Sequence, residues 1–166
     1  METSTIINVA TLVVLFGTGV FIYKTFIEYK KLSYLGFYEI VQKHHTKEMT
    51  QLRKDVFSQI DQKVKQAREQ KKPLQEIDDD FHSRISELAN YYESLGLFLE
   101  GGWEIFPDSA KRMMLDMLHN STTKAWEGIK DNFDIIYPNK RPRDWAGSFQ
   151  WLYGIVTEYR KNKNLV

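Results

Sequence analysis

The sequence contains no cysteine, and this absence removes several classes of protein from consideration. A disulfide scaffold, a thiolate nucleophile, a Cys-ligated zinc site and an iron–sulfur cluster all require that residue. A Gly-rich phosphate-binding loop and the G-x-S-x-G elbow of many hydrolases are missing as well. The sequence therefore predicts no cofactor and carries no strong catalytic signature.

An excess of one charge and the signals of β-structure are also lacking. The 23 Lys and Arg residues nearly balance the 22 Asp and Glu residues, so the net charge is +1 and does not favour nucleic acid as the partner. No Asn-Gly or Asp-Gly pair marks a β-hairpin. Hydrophobic residues make up 42% of the chain, which is enough for a folded core.

What the sequence does contain is a charge-free run of 21 residues, from Thr3 to Tyr23. About 20 apolar residues in a helix cross the hydrocarbon core of a bilayer. We therefore expect a single transmembrane helix that contacts lipid through residues 4–27, within an anchor segment 1–30. A cleaved signal peptide is the alternative, but the chain starts with Glu2 and no basic residue, and a bulky segment follows the run.

The charges on either side of this run predict its orientation. Glu2 precedes it, whereas Lys24, Lys30 and Lys31 follow it. Positively charged flanks stay on the cytoplasmic side of a membrane. We therefore expect a single-pass signal anchor in the inner (plasma) membrane of a bacterium, with the N-terminus outside and the C-terminal domain in the cytoplasm.

Residues 31–159 show the helical spacing of apolar residues and predict an antiparallel bundle of about five helices, followed by a polar tail at 160–166. The stretch 31–42 is expected to continue the anchor helix. A break at His44–Thr46, with Thr46 as the N-cap, precedes the next helix. The apolar stripe of that helix, which ends near Gln70, is Met49, Leu52, Val56, Ile60 and Val64.

Four more helical segments are expected beyond this point. The first runs without interruption from Leu74 to Leu99 and is stopped by a glycine cap at Gly101–Gly102. The second begins near Pro107, a break at Asn120–Ser121 starts the third, and the last begins near Asp144. Their apolar faces are Met113, Met114, Met117 and Leu118, then Trp126, Ile129, Phe133 and Ile136, then Trp145, Phe149, Leu152, Val156 and Tyr159.

Asp78, Asp79 and His82 are the candidates for a metal site, because residues three and four apart share one face of a helix. A metal ion would need at least one further ligand from elsewhere in the chain. The competing interpretation is a solvated acidic helix start beside a surface histidine. We favour that interpretation and predict no metal.

Arg112 and His119 are the candidates for catalysis. An Arg followed after six residues by a His resembles the spacing in the all-helical ribonucleases of prokaryotic toxin and defence systems, where the two side chains act on the scissile phosphate of RNA. In those enzymes a polar residue usually follows the Arg, but here Met113 does. The competing interpretation is a solvated Arg and a His near a helix C-terminus.

A short basic cluster at Lys140, Arg141 and Arg143, close to Trp145, is the third candidate. Such a cluster can contact the phosphates of nucleic acid or of anionic lipid. A solvated loop is the simpler interpretation.

The segment from Glu87 to Phe98 resembles part of a family of small bacterial membrane-anchored proteins known as domain of unknown function 4760. The resemblance rests on the aromatic-Glu pair Tyr92-Glu93 before the Leu-Gly-Leu turn at 95–97, with further similarity at Leu52-Arg53, Val56-Phe57, Trp126-Glu127 and Ile129. It covers roughly residues 31–137, and Arg141 or Arg143 stands where members often carry an Arg. The resemblance implies one N-terminal span and a helical domain, and it implies no activity.

Together these patterns predict a membrane-tethered cytoplasmic helical module that binds another protein, or a second copy of itself, without catalysis. Two alternatives stay open. One is a membrane-associated ribonuclease that uses Arg112 and His119. The other is a module that binds anionic lipid or nucleic acid through Lys140, Arg141 and Arg143.

Overall fold

The computed structural model describes residues 2–140 and 146–163, without the side chains at 2–14, 26, 29–34 and 37. All regular elements in these residues are α-helices, which confirms the predicted all-α helical bundle. The chain forms two compact units, Met1–Gln42 and Lys43–Val166. The helices are α1 (Glu2–His45), α2 (Lys47–Gln70), α3 (Leu74–Ile77), α4 (Asp79–Gly102), α5 (Asp108–Lys130), α6 (Phe133–Ile136) and α7 (Gly147–Asn162).

The first unit is helical throughout its described length and belongs to α1. Most of its described apolar side chains are exposed, among them Phe16 at 74% and Phe21 at 71%. Much of the predicted anchor, at residues 4–14 and 26, lies outside the described side chains. Within the part of the chain that is described, no helix combines the length and hydropathy that crossing a bilayer requires.

The second unit begins with the predicted break before α2. Thr46 has an extended conformation, and its hydroxyl accepts the Met49 N–H at 3.2 Å, so it is the N-cap that the sequence predicts. The helix ends at Gln70, and Lys71 adopts the left-handed conformation with φ 53°. All five residues of the predicted stripe are buried, namely Met49, Leu52, Val56, Ile60 and Val64.

The prediction of one uninterrupted helix from Leu74 is wrong. The chain leaves the helical conformation at Asp78, where φ is −155° and ψ is 87°, and this residue separates α3 from α4. The Asp78 carboxylate accepts the Phe81 N–H at 3.0 Å and so satisfies one of the free donors at the start of α4. The capping hydrogen bond of Asp78 therefore separates the two helices, although the apolar spacing continues through this position.

The predicted glycine cap at the end of α4 is also wrong. Gly101 and Gly102 belong to the helix, the next residue Trp103 is right-handed, and no described glycine has a positive φ. A Cβ at Gly102 would come within 2.7 Å of the Phe106 ring, so this glycine is needed for close packing.

The break expected at Asn120–Ser121 does not occur, because α5 is continuous from Asp108 to Lys130. The Ser121 hydroxyl donates to the Leu118 carbonyl at 3.1 Å and the Thr123 hydroxyl donates to the His119 carbonyl at 2.7 Å. Residues typical of helix caps are therefore accommodated inside the helix. Of the predicted methionine face, Met114 is buried whereas Met113 is 54% exposed.

Helix α7 packs against both α4 and α5 and completes the core. Phe149, Leu152 and Val156 are buried as predicted, whereas Trp145 lies outside the described residues. The Trp126 ring lies 4.9 Å from the Phe149 ring, and His119 lies near Tyr159 at the other end of the contact. Helices α5 and α7 are therefore antiparallel.

Candidate functional site

The catalytic candidates Arg112 and His119 both lie on α5, about 10 Å apart along the helix axis. Arg112 is exposed and His119 is half-buried. The His119 ring centroid is 6.4 Å from that of Tyr159, whose hydroxyl donates a hydrogen bond to Asp116. This bond raises the pKa of Tyr159, and the charge of Arg112 partly opposes the shift.

One ring nitrogen of His119 is left without a hydrogen bond in the part of the chain that the structure describes. Its Nδ1 atom is buried and has no hydrogen-bond partner among the described residues. The surface near it combines an exposed guanidinium, a carboxylate and a tyrosine. Arg112 could attract a phosphate here, whereas Asp116 would repel one.

The metal candidates have other partners. Asp78 caps α4 and accepts a 2.6 Å hydrogen bond from Lys63, and these two donors lower the pKa of its carboxyl. The His82 Nε2 atom lies 3.0 Å from the Ile136 carbonyl, so Nε2 carries the proton and donates. Asp79 is exposed.

A metal-binding arrangement is not found in the described chain. Within residues 2–140 and 146–163, no three or more His, Asp or Glu side chains are placed to hold a metal ion. Asp78 instead caps the start of α4, and His82 forms a contact between α4 and the end of α6.

The basic cluster is described only at its first member. The Lys140 ammonium lies 5.4 Å from the centroid of the Tyr137 ring, a cation–π distance. Arg141 and Arg143 lie outside the described residues. Burial raises the pKa of Tyr137 to about 12, against the opposing effect of its hydrogen bond with Ser86.

The C-terminal half of α4 holds the start of α7 through two carboxylates and a glycine. The Glu93 carboxylate accepts the Phe149 N–H at 2.7 Å and the Ser148 N–H at 3.3 Å, so a residue of α4 caps the start of α7. Glu100 accepts a 3.0 Å bond from the Ser148 hydroxyl. A Cβ at Gly96 would overlap the Ser148 carbonyl, so only glycine permits this approach.

Arg53 on α2 lies in a polar network that no sequence pattern predicts. One terminal nitrogen of its guanidinium lies 3.0 Å from His44 Nδ1, and the other donates to the His44 carbonyl at 2.8 Å and to the Thr50 hydroxyl at 3.3 Å. His44 Nδ1 also lies 2.9 Å from the Tyr91 hydroxyl of α4. His44 is only 3% exposed.

The charge of Arg53 and the burial of its neighbours fix the protonation of this network. Burial, with the nearby Arg53 and His45, lowers the pKa of His44 to about 3, so its imidazole is neutral. Burial raises the pKa of Tyr91 beyond its usual range and that of Tyr92 to about 12. The guanidinium of Arg53 is therefore the charged member of the group.

Sequence reasoning missed this network because it joins residues far apart in the chain. His44 and Tyr91 are 47 positions apart. The available signal was the Thr46 cap, which marks the boundary between α1, where His44 lies, and α2, which carries Arg53. A histidine just before a capped helix does not by itself reveal a buried contact.

Comparison with known proteins yields no relative: no family model matches the chain, no curated protein matches it and no solved structure matches its fold.

Proposed function

We propose that this chain is a membrane-tethered helical module that acts by binding another protein, without catalysis of its own. The observation that carries the proposal is the charge-free run of 21 residues from Thr3 to Tyr23, followed by a folded all-α bundle. A run of this length suits a bilayer span. The basic flank at Lys24, Lys30 and Lys31 favours a cytoplasmic bundle at the inner membrane.

The binding part of the proposal rests on the surface of the bundle. Leu97 is 65% exposed and Met113 is 54% exposed, on α4 and α5 respectively. Apolar and methionine side chains at a surface are groups that a protein partner buries.

Extraction from membranes tests the tether. The full-length chain should stay in the membrane fraction after high-salt and alkaline washing, because a buried apolar helix does not depend on charge. A variant with Leu12→Lys and Leu15→Lys should be released, since a lysine near the bilayer centre costs about 3 kcal/mol. Release of the unaltered chain by either wash would contradict the tether.

Partner capture tests the binding. Intact protein is cross-linked in membranes and purified, and the proteins recovered with it are compared with those recovered by a Leu97→Glu, Met113→Glu variant. We expect a specific set of proteins, or a second copy of the chain, that this variant loses. The same set with both would show that these two side chains do not form the interface.

One observation favours the ribonuclease as a second candidate function. Arg112, Asp116 and His119 lie on one helix beside Tyr159, and the buried Nδ1 of His119 has no partner among the described residues. An imidazole can act as a general base or acid on RNA. The purified full-length chain should cleave RNA if this function holds, and folded Arg112→Ala and His119→Ala variants should not.

A further inference from the structure

An acidic groove lies between α2 and α5 on the surface of the bundle. It has a volume of about 400 Å³. Three carboxylates and one lysine line it and give it a net charge of −2, and two apolar side chains lie among them: Asp61, Glu127, Asp131, Lys124, Phe57 and Ile60. The groove therefore suits a cation that also carries an apolar stem.

A basic groove of similar size lies where α2 ends, beside α6. It has a volume of about 440 Å³. Three cations and one carboxylate give it a net charge of +2, again with two apolar residues: Arg68, Lys71, Lys72, Asp134, Pro73 and Ile135. Lys71 and Lys72 are exposed and form the turn after α2, which Lys71 begins in the left-handed conformation.

The two grooves are neighbours on the bundle. Asp61 and Arg68 are seven residues apart on α2, nearly two turns, so they lie on one face of the helix about 10 Å apart along its axis. The Arg68 guanidinium also donates to the Asp131 carbonyl at 3.2 Å and to the Asn132 amide oxygen at 3.3 Å. Both of these residues line the acidic groove, so a single partner can cover both grooves.

The charges of the grooves are available to a partner. Among the described residues, Asp61, Glu127 and Lys71 form no ion pair. The pairs that do form are between exposed side chains: Arg68 with Asp134 at 3.4 Å, Lys72 with Glu76 at 4.0 Å and Lys130 with Asp131 at 3.8 Å. Exposed pairs of this kind contribute little to stability, so a partner can replace them at small cost.

We propose that this surface is an interface between two copies of the chain, related by a two-fold axis that passes between the grooves. Such an axis places the acidic groove of each copy against the basic groove of the other, so the same contact forms twice. Lys71 and Lys72 of one copy extend into the acidic groove of the other. There their apolar stems cover Phe57, and their ammonium groups meet Asp61 and Glu127.

A second copy fits this surface because one chain carries both complementary halves, with net charges of −2 and +2. The interface lies on α2, α5 and α6 and is distinct from the Leu97 and Met113 surface of the proposed function. It also does not require the membrane tether. Its failure and the failure of the proposed function are therefore separate outcomes.

Sedimentation of the full-length chain in a nonionic detergent measures the dimer, at low ionic strength because salt screens exposed charges. Asp61→Lys with Glu127→Lys makes both grooves basic, and Lys71→Glu with Lys72→Glu makes both acidic. Each variant alone should dimerise with a dissociation constant about 100-fold or more above that of the wild type, since like charges then face each other twice. A monomeric wild type, or wild-type affinity in either variant, would overturn the proposal.

Mixing the two variants is the decisive measurement. In a mixed dimer each basic groove again faces an acidic groove, so the dissociation constant should return to within about 10-fold of the wild-type value. The variants carry different affinity tags, and recovery of both with either tag reports the mixed dimer. If both variants show the wild-type helical signal by circular dichroism and do not pair, the two-fold arrangement is wrong.

A neutral variant covers the case in which a charge reversal does not fold. Asp61→Asn with Glu127→Gln removes two exposed charges at nearly constant size and should weaken the dimer by about 10-fold. Unchanged affinity in this variant would contradict the interface.

Two controls locate the effect. Glu104→Lys with Glu158→Lys makes the same change in net charge at exposed carboxylates that line neither groove, and this chain should dimerise like the wild type. The Leu97→Glu, Met113→Glu variant should also keep the dimer. Loss of the dimer in the first control would assign the effect to net charge, and loss in the second would move the dimer contact to the other surface; either result would overturn the proposal.

Discussion

At the scale of single residues, Gly96 shows how one missing side chain positions a whole helix. The backbone of Ser148 at the start of α7 lies where a Cβ of residue 96 would be, and Glu93, one turn earlier, accepts the N–H groups at that helix start. The close approach of α7 to α4 and the cap of α7 depend on each other, because the Glu93 carboxylate reaches the N–H groups of α7 only when the two helices are this close.

Gly96→Ala should therefore destabilise the bundle by about 1–3 kcal/mol, the usual cost of forcing extra atoms into a packed interface. Gly101→Ala is the matched control in the same helix, because nothing lies within 4 Å of its added Cβ. Alanine there should be neutral or stabilising by up to about 1 kcal/mol. Urea unfolding followed by Trp fluorescence measures both, and equal effects would contradict the close approach.

His44 makes the stability of the bundle depend on pH. Its pKa is about 3 in the folded chain because of burial and Arg53, against an ordinary value of 6.5. Below pH 6.5 the unfolded chain binds a proton that the folded chain does not, so stability is full above that pH and is lost as the pH falls towards 3. The loss should approach a factor of about 10 in the folding equilibrium constant per pH unit.

Urea unfolding at pH 7.0 and pH 5.0 checks this expectation, with His44→Gln as the comparison. The variant should lose less stability than the wild type over this interval, because the histidines at 45, 82 and 119 are present in both chains. Asp78, whose pKa is lowered from 3.8, contributes only below this interval. Equal losses in the two chains would show that His44 is not the group that titrates.

At the scale of the helices, Asp78 decides where α4 begins. Its side chain caps the helix and forms the 2.6 Å ion pair with Lys63 of α2. Asp78→Ala should cost about 1–2 kcal/mol, chiefly through the lost cap. Asp79→Ala should cost less than about 0.5 kcal/mol, because this neighbour is exposed and only complements the helix dipole. Urea unfolding again measures the difference, and similar losses would mean that the cap contributes little.

The helices also show which features of the fold can be predicted from the sequence. The stripe of α2 and its Thr46 cap were predictable, because both arise from residues within one or two turns of each other. The break at Asp78 was not predicted, because the apolar spacing continues through it while a carboxylate binds the backbone. The false break at Asn120 has the opposite cause, since the hydroxyls of Ser121 and Thr123 bond to carbonyls within the helix.

The candidate sites were less predictable than the helices. Arg112 and His119 do lie on one helix, as their spacing requires, but the contact of His119 with Tyr159 depends on how α7 packs. Asp78 and His82 were grouped by spacing, and each has a separate partner, Lys63 and the Ile136 carbonyl. Contacts between distant parts of the chain, such as that of His44 with Tyr91, leave no periodic pattern in the sequence.

At the scale of the whole molecule, the proposed tether makes a prediction about orientation. A reporter enzyme fused after Val166 should be active in the cytoplasm, because Lys24, Lys30 and Lys31 follow the charge-free run and only Glu2 precedes it. Lys and Arg near the ends of a span determine which end stays inside. Two paired fusions, one active only in the cytoplasm and one active only outside it, report the location of the bundle. Activity of the outside reporter would contradict the orientation.

The same argument predicts that moving the positive charge moves the bundle. In a variant that replaces the three flanking lysines with Gln and adds Lys at positions 3 and 4, the basic residues precede the run instead of following it. A substantial fraction of this variant should expose the fusion outside, because the bias that retains the C-terminal flank is gone. Replacing Lys71 and Lys72 with Gln is the control: these residues lie about 48 positions beyond the run, too far to influence its insertion. If the first variant kept a fully cytoplasmic bundle, the flanking lysines would not be what orients the chain.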